Sequence, residues 1–271
     1  MKNYFYTILI TMKYISKILC FLFLFFLLQA GNTALSKEVK FIFITDTHIN
    51  PDNAYKLQDT VKEINSYKDV DFVVFGGNNI QKANVENLNY FLYLAKRVHK
   101  KTIVLLGNQD VFSTSGITKD YYMKRVRKAF LYRHPKKTNF VFKKKNIVFV
   151  VMDGSKQYFK SANGFYPKDE LIWLDKTLKK YEKKNVVILQ HFPLLEANSE
   201  WVQTAGIEDY YNVLKKHSNV KAIVSGHYNF NKEVKIGNIY NIVVENYTKA
   251  QGYKIIQFDF ARNFIGTYLV K

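Results

Sequence analysis

Short apolar runs alternate with amphipathic stretches along this chain from Val39 onward. Residues 39–45 are apolar on both faces and predict a buried strand, followed at 55–67 by Leu57, Val61 and Ile64 at helical spacing. The strand pattern returns at 71–75, the helix pattern at 85–98 and the strand pattern again at 102–106. Doubly apolar strands joined through helices predict a parallel sheet covered by helices, hence an α/β fold. A further helix is predicted over 121–132, then two strands within 139–152 around the basic turn Lys143-Lys144-Lys145. Residues 169–181 place Leu171, Leu174, Leu178 and Tyr181 on one helical face, and 185–189 reads as the next strand. A short helix at 207–216 precedes a strand at 220–224. Strands near Val234 and at 239–244, 253–260 and 264–270 then predict a meander.

The N-terminus breaks this rhythm. Lys13 and Lys17 precede an unbroken apolar run at 18–28, followed by small and polar residues to Ser36. A basic start, a short apolar stretch and a small-residue exit predict a signal peptide over residues 1–34, with Met12 as a second candidate start. The run is shorter than the roughly 20 residues of a comfortable membrane span, and an uncleaved anchor at 18–28 is the alternative. The expected location is therefore outside the cytoplasm, periplasmic or secreted. The membrane is reached only through an uncleaved N-terminal segment. No repeat or linker interrupts the rest, so residues 35–271 are expected to form one domain.

Composition narrows the chemistry. Hydrophobic residues at 48% and charged residues at 23% make a globular balance that excludes extended disorder. Cys20, the sole cysteine, lies in the N-terminal run, which excludes a disulfide framework, a thiol nucleophile or a thiolate metal site in the domain. A metal must rest on His, Asp, Asn or Glu. The net charge of +19 suits phosphorylated ligands, anionic lipid or nucleic acid. Arginine, whose planar fork reads phosphates and bases, occurs only at 97, 125, 127, 133 and 262. A solvated lysine surface is therefore preferred to a nucleic-acid site.

The candidate chemistry falls where strands end. The first predicted strand runs into Asp46-Thr47-His48, the second into Gly76-Gly77-Asn78-Asn79 and the third into Gly107-Asn108-Gln109-Asp110. Later strands deliver His191-Phe192-Pro193 and Gly226-His227-Tyr228-Asn229. Strand ends followed by glycine, proline and small polar groups predict one shared rim, where open α/β sheets bind ligands. His99, His134 and His217 lie in Lys-rich stretches and read as surface residues. Asn78, Asn79 and Asn108 are also ordinary turn formers. For Asn108 metal contact is preferred; for Asn78 both readings stand. Asp110 and Asp153 read as supporting or capping residues.

In this order the motifs resemble the calcineurin-like metallophosphoesterase family, whose pattern is Asp-x-His, Gly-Asp, Gly-Asn-His-Asp/Glu, a lone His and Gly-His-x-His. The resemblance spans residues 39 to about 252. It implies a four-layer α/β/β/α sandwich with a two-metal centre that activates a hydroxide for in-line attack on phosphorus. It places Asp46 and His48 at a first metal, Asn78 at the bridging carboxylate position, and Asn108, His191 and His227 at a second metal. Asn229 stands at the last first-metal ligand, and Gln109 replaces the His that contacts phosphate. Two divalent ions would then face a single carboxylate, Asp46, so one divalent ion of the zinc, manganese or iron class is expected rather than two. Gln109 offers no titratable proton. Three readings follow: a weakened or mononuclear hydrolase of phosphate mono- or diesters acting on a phosphorylated small molecule or nucleotide; a silent relative binding an anionic ligand or protein; and a basic module using residues 124–145 to hold nucleic acid or an anionic surface.

Overall fold

The computed structural model describes residues 38–195 and 204–271. The predicted signal segment, residues 1–34, lies outside them. Strand β1 (Val39–Ile44) shows how the sandwich is built. Its period of two sends Phe41 and Phe43 to one side and Ile42 and Ile44 to the other, and both sides are buried. β1 pairs in parallel with β2 (Phe72–Phe75), and β2 with β3 (Lys101–Val104). The connecting helices α1 (Ala54–Ser66) and α2 (Val85–Ala95) cover the Ile42 face, together with α3 (Lys119–Ala129).

The other face meets a second sheet containing β4 (Phe140–Lys144), β5 (Ile147–Met152), β7 (Asn185–Gln190) and β9 (Val220–Ser225). Phe41 stacks on Phe72 at 4.8 Å, and Phe149 and Phe142 from the opposite sheet meet Phe72 edge-on at 5.1 and 5.3 Å. Helices α4 (Lys168–Lys180) and α5 (Ile207–Leu214) cover the far side of that sheet. The result is the expected four-layer α/β/β/α sandwich. A small pair, β6 (Gly164–Phe165) with β8 (Thr204–Ala205), was not foreseen.

Local chemistry sets the helix ends. Asn84 and Thr118 accept the N–H of Asn87 (2.8 Å) and Tyr121 (3.1 Å) to cap α2 and α3. Asp120 lies in the first turn of α3, and Arg127 and Lys128 lie in its last, each at the end its charge favours.

Three sequence expectations are corrected. The C-terminal strands do not form one meander. β10 (Lys232–Ile236) and β11 (Ile239–Val243) extend the second sheet beside β9, whereas β12 (Tyr253–Asp259) and β13 (Phe264–Val270) extend the first beside β1. Both hairpins are antiparallel, but the helical turn α6 (Tyr247–Ala250), anchored by buried Tyr247, carries the chain from one sheet to the other. Lys143 and Lys144 belong to β4, and the turn falls at Lys145, which adopts φ 52°. His134 is buried, not exposed: its Nε2 accepts the Val104 N–H at 3.0 Å, fixing the loop after α3 to β3.

Candidate active site

The rim spans both sheets, because β1, β2 and β3 of one and β7 and β9 of the other end at the same place. Backbone hydrogen bonds lace the first two loops together: Asp46 to Gly77 O (2.9 Å), His48 to Asn78 O (3.0 Å) and Ile49 to Asn79 O (2.9 Å). Gly226 donates to His191 O at 3.0 Å, and the His227 N–H donates across the sheets to Asp46 Oδ2 at 3.0 Å. Glycine is required where loops touch. A Cβ on Gly77, at φ 95°, would lie 2.7 Å from His191 Nδ1, and one on Gly107 would lie 2.3 Å from Asn78 Oδ1.

Left-handed backbone concentrates at this rim. Asp46 (φ 56°), His48 (43°), Asn78 (50°), His227 (70°) and Asn229 (57°) are five of the ten non-glycine residues with positive φ among those described. Asp, Asn and His enter this region more readily than other non-glycine residues, and the surrounding loops must hold the cost that remains.

Asp110 supports two of the loops. Fully buried, it accepts the N–H groups of Asn79 (2.8 Å), Ile80 (3.1 Å) and Gly107 (2.8 Å), and the Asn79 amide at 3.2 Å. Burial pushes its carboxyl pKa up to about 7 against the pull of those donors. Asp153 likewise holds Ser155 and pairs with Lys119 at 2.9 Å, so both aspartates act as the supporting residues expected.

The site divides into two unlike halves. In one, donors and acceptors are already matched. Asn78 Nδ2 donates to Asp46 Oδ1 at 3.0 Å, while its Oδ1 accepts the Gln109 N–H at 2.9 Å. His48 Nδ1 meets Gln109 Oε1 at 3.0 Å, which assigns the proton to Nδ1 and leaves Nε2 to accept the Asn246 amide at 3.3 Å. Asn246 also donates to Asn229 Oδ1 at 2.7 Å, and its own oxygen is turned away to cap α6 through Lys249 N–H at 3.2 Å. An amide N–H thus sits between His48 and Asn229. Sequence reasoning missed Asn246, since a capping asparagine after a strand carries no spacing signal.

In the other half, acceptors lack partners. His191 is fully buried; its Nδ1 donates to Gly76 O at 2.8 Å, leaving an unpartnered Nε2 lone pair 3.9 Å from Asp46 Oδ1. His227 packs beside it with ring centroids 4.9 Å apart; the Ala162 carbonyl lies nearby, but neither ring nitrogen completes a well-formed hydrogen bond. Asn108 Oδ1 is buried and unpartnered. Burial holds both imidazoles neutral, lowering His191 and, with His191 as neighbour, pushing His227 down to about 3. For Asp46, burial works upward, but the carboxyl stays below its ordinary range, and with the imidazoles neutral the groups that favour the carboxylate are its donors: the His227 N–H and the Thr45 hydroxyl (2.9 Å) on Oδ2 and the Asn78 amide on Oδ1.

Among the described residues, no three His, Cys, Asp or Glu side chains are disposed to hold a metal ion by themselves. Among the described residues, the unpartnered Asn108 amide oxygen on the loop after β3 is the further donor that a cation could take with His191 and His227. Those orphaned acceptors suit one ion. The His48–Asn229 half, filled by amide N–H groups, does not suit a second.

A sequence model of calcineurin-like phosphoesterases matches residues 39–228. The chain belongs to this family. Among curated relatives of this calcineurin-like phosphoesterase, a probable cyclic nucleotide phosphodiesterase of Vesicomyosocius okutanii subsp. Calyptogena okutanii is 25% identical over 197 residues, 69% of this chain and 76% of the relative. A second, from Moraxella catarrhalis, is 31% identical over 67 residues, 24% of each chain. A dimetal phosphatase from Danio rerio shares the fold with a TM-score of 0.66 at 14% identity, covering 86% of this chain and 98% of its own.

Proposed function

We propose that this phosphoesterase is an exported, metal-dependent hydrolase of phosphate mono- or diesters that works with one divalent cation. The observation that carries the reading is the trio of buried, unpartnered groups at the rim, Asn108 Oδ1, His191 Nε2 and the His227 ring, with the Asp46 carboxylate 3.9 Å from His191 Nε2. When bound, a divalent cation would supply Lewis-acid polarisation of a phosphoryl group and a water of lowered pKa. The chain's own residues do the rest. Gly76 O fixes the His191 tautomer, and Asp46 is kept ionised, giving the centre a negative charge beside His191.

Gln109 reaches His48 but carries no transferable proton, so the leaving group departs without side-chain proton assistance. That loss is ordinarily worth ~10²–10⁴ in rate. Esters with acidic leaving groups, such as aryl phosphates, should therefore be far better substrates than alkyl esters. The name carried by the curated relatives supports cyclic nucleotides as the physiological class to try first. The leader-like pattern of residues 1–34 supports the exported location.

Hydrolysis of 4-nitrophenyl phosphate, its bis ester and cyclic nucleotides, with manganese and with chelator, tests the reading. Chelator-sensitive turnover abolished by His191→Ala is expected. A chain that binds metal yet hydrolyses none of these esters is instead the silent, ligand-binding relative.

A further inference from the structure

The groove between α2 and α3 has a volume of about 1350 Å³ and is lined by Lys96, Lys124, Arg125, Arg127, Lys128 and Lys136 against one carboxylate, Asp120. Arginine is scarce in this chain, with five in 271 residues, yet four collect here. Arg125 and Arg127 line the groove, Arg97 lies 3.3 Å over the ring of Tyr93 on its wall, and Arg133 lines the adjoining depression. Among the described residues, none of these cations pairs with a carboxylate. Neutral groups hold the guanidiniums instead: Arg125 donates to the Tyr121 hydroxyl at 2.8 Å, and Arg127 lies 5.4 Å from the Tyr132 ring centre. The positive field is organised and left uncompensated.

A second observation points to the ligand. Helix α3 ends in two consecutive left-handed residues, Leu131 (φ 52°) and Tyr132 (φ 60°), where glycine or asparagine ordinarily stands. Bulky side chains there are strained, yet these are 72% and 65% exposed. The loop beneath them is tied down by buried His134 on Val104, so the tip is held out from the body. The turn closes α3, with the Tyr132 N–H donating to Arg127 O at 2.6 Å, and it leaves both apolar side chains at the surface beside the cations.

We infer that this corner is a docking surface for an anionic bilayer, with Leu131 and Tyr132 entering the headgroup region and the surrounding cations meeting lipid phosphates. An exposed leucine has no role against a nucleic-acid backbone, whereas an apolar tip ringed by Lys and Arg, with a tyrosine at its polar edge, suits a membrane interface. No described helix is long and apolar enough to cross a membrane, and the contact proposed is peripheral. This surface does not depend on the metal reading, because none of its residues reaches the rim.

Co-sedimentation of the full-length chain with phosphatidylcholine vesicles, and with vesicles also containing phosphatidylserine, tests the inference. The apolar run at 18–28 is common to every sample and sets a constant background. The readout is the extra binding that phosphatidylserine produces. Lys96→Gln, Lys124→Gln and Lys128→Gln together should reduce it ~10²-fold, and high salt should mimic them. Leu131→Gly with Tyr132→Gly should reduce it ~10-fold or more while leaving the melting temperature essentially unchanged, since glycine accepts both backbone conformations. Absence of any phosphatidylserine increment, or its full retention in both variants, overturns the proposal. So does preferential binding of a labelled single-stranded oligonucleotide through the same lysines, which would make the corner a nucleic-acid surface.

Discussion

Replacing Asp110 by Ala should strand three buried backbone donors at once, the N–H groups of Asn79, Ile80 and Gly107. An unsatisfied buried donor costs about 1–3 kcal/mol, so a loss of about 3 kcal/mol or more is expected even with some water entering the gap. For a domain of this size, about 2–4 °C of melting temperature accompanies each kcal/mol, which makes the expected drop at least about 6 °C. Asp110→Asn is the finer probe. It keeps one oxygen for two of the donors and turns an amide N–H against the third, so it should lose only about 1–3 kcal/mol. Urea unfolding followed by near-ultraviolet circular dichroism gives both values, provided the slope of stability against urea is unchanged between variants. The same loops carry Asn78, Asn108 and Gln109, so metal content should fall in the same order. An Ala variant within about 0.5 kcal/mol of wild type, the range of an ordinary surface substitution, would refute the bracing role.

The remaining predictions concern pH and the altered site. Burial pushes His134 down to about 4 from the ordinary 6.5, so its contribution is fully present above pH 6.5 and is lost as pH falls toward about 4. The full loss is about 3 kcal/mol; chemical denaturation across that window should show it, and His134→Phe should flatten that part of the profile. Asn78→Asp, Gln109→His and Asn229→His combined should raise aryl phosphate hydrolysis by at least ~10²-fold, the lower bound for regained proton assistance, and admit a second cation in elemental analysis. Asn78→Asp alone should raise metal occupancy more than rate, because it changes charge without supplying a proton donor.

Much of this architecture was legible because local periodicity carries it. The alternation of Phe41, Phe43 with Ile42, Ile44 marks a strand with two buried faces, and Asp46 and His48 follow it directly. Sheet membership was not legible, since a period of two is the same for β11 and β12 although they join different sheets. His134 was misread because its Lys-rich neighbours point outward while its ring alone turns in to Val104. The rim positions Asp46, His48, Asn78, His191, His227 and Asn229 do converge, but what the amides do there was hidden. Whether Asn78 presents oxygen or nitrogen to Asp46 depends on Gln109, and the state of His48 depends on Asn246, which lies 198 residues away in sequence.

The most direct test of the account is elemental analysis of the purified chain after dialysis against manganese or zinc. About one ion per chain is predicted, lost in His191→Ala and in His227→Ala, because among the described residues the unpartnered His191, His227 and Asn108 groups lie apart from the matched His48–Asn229 half. Two tightly held ions per wild-type chain would contradict it. They would require the Asn246 amide to leave His48 and Asn229, and Asn78 to turn its oxygen toward Asp46.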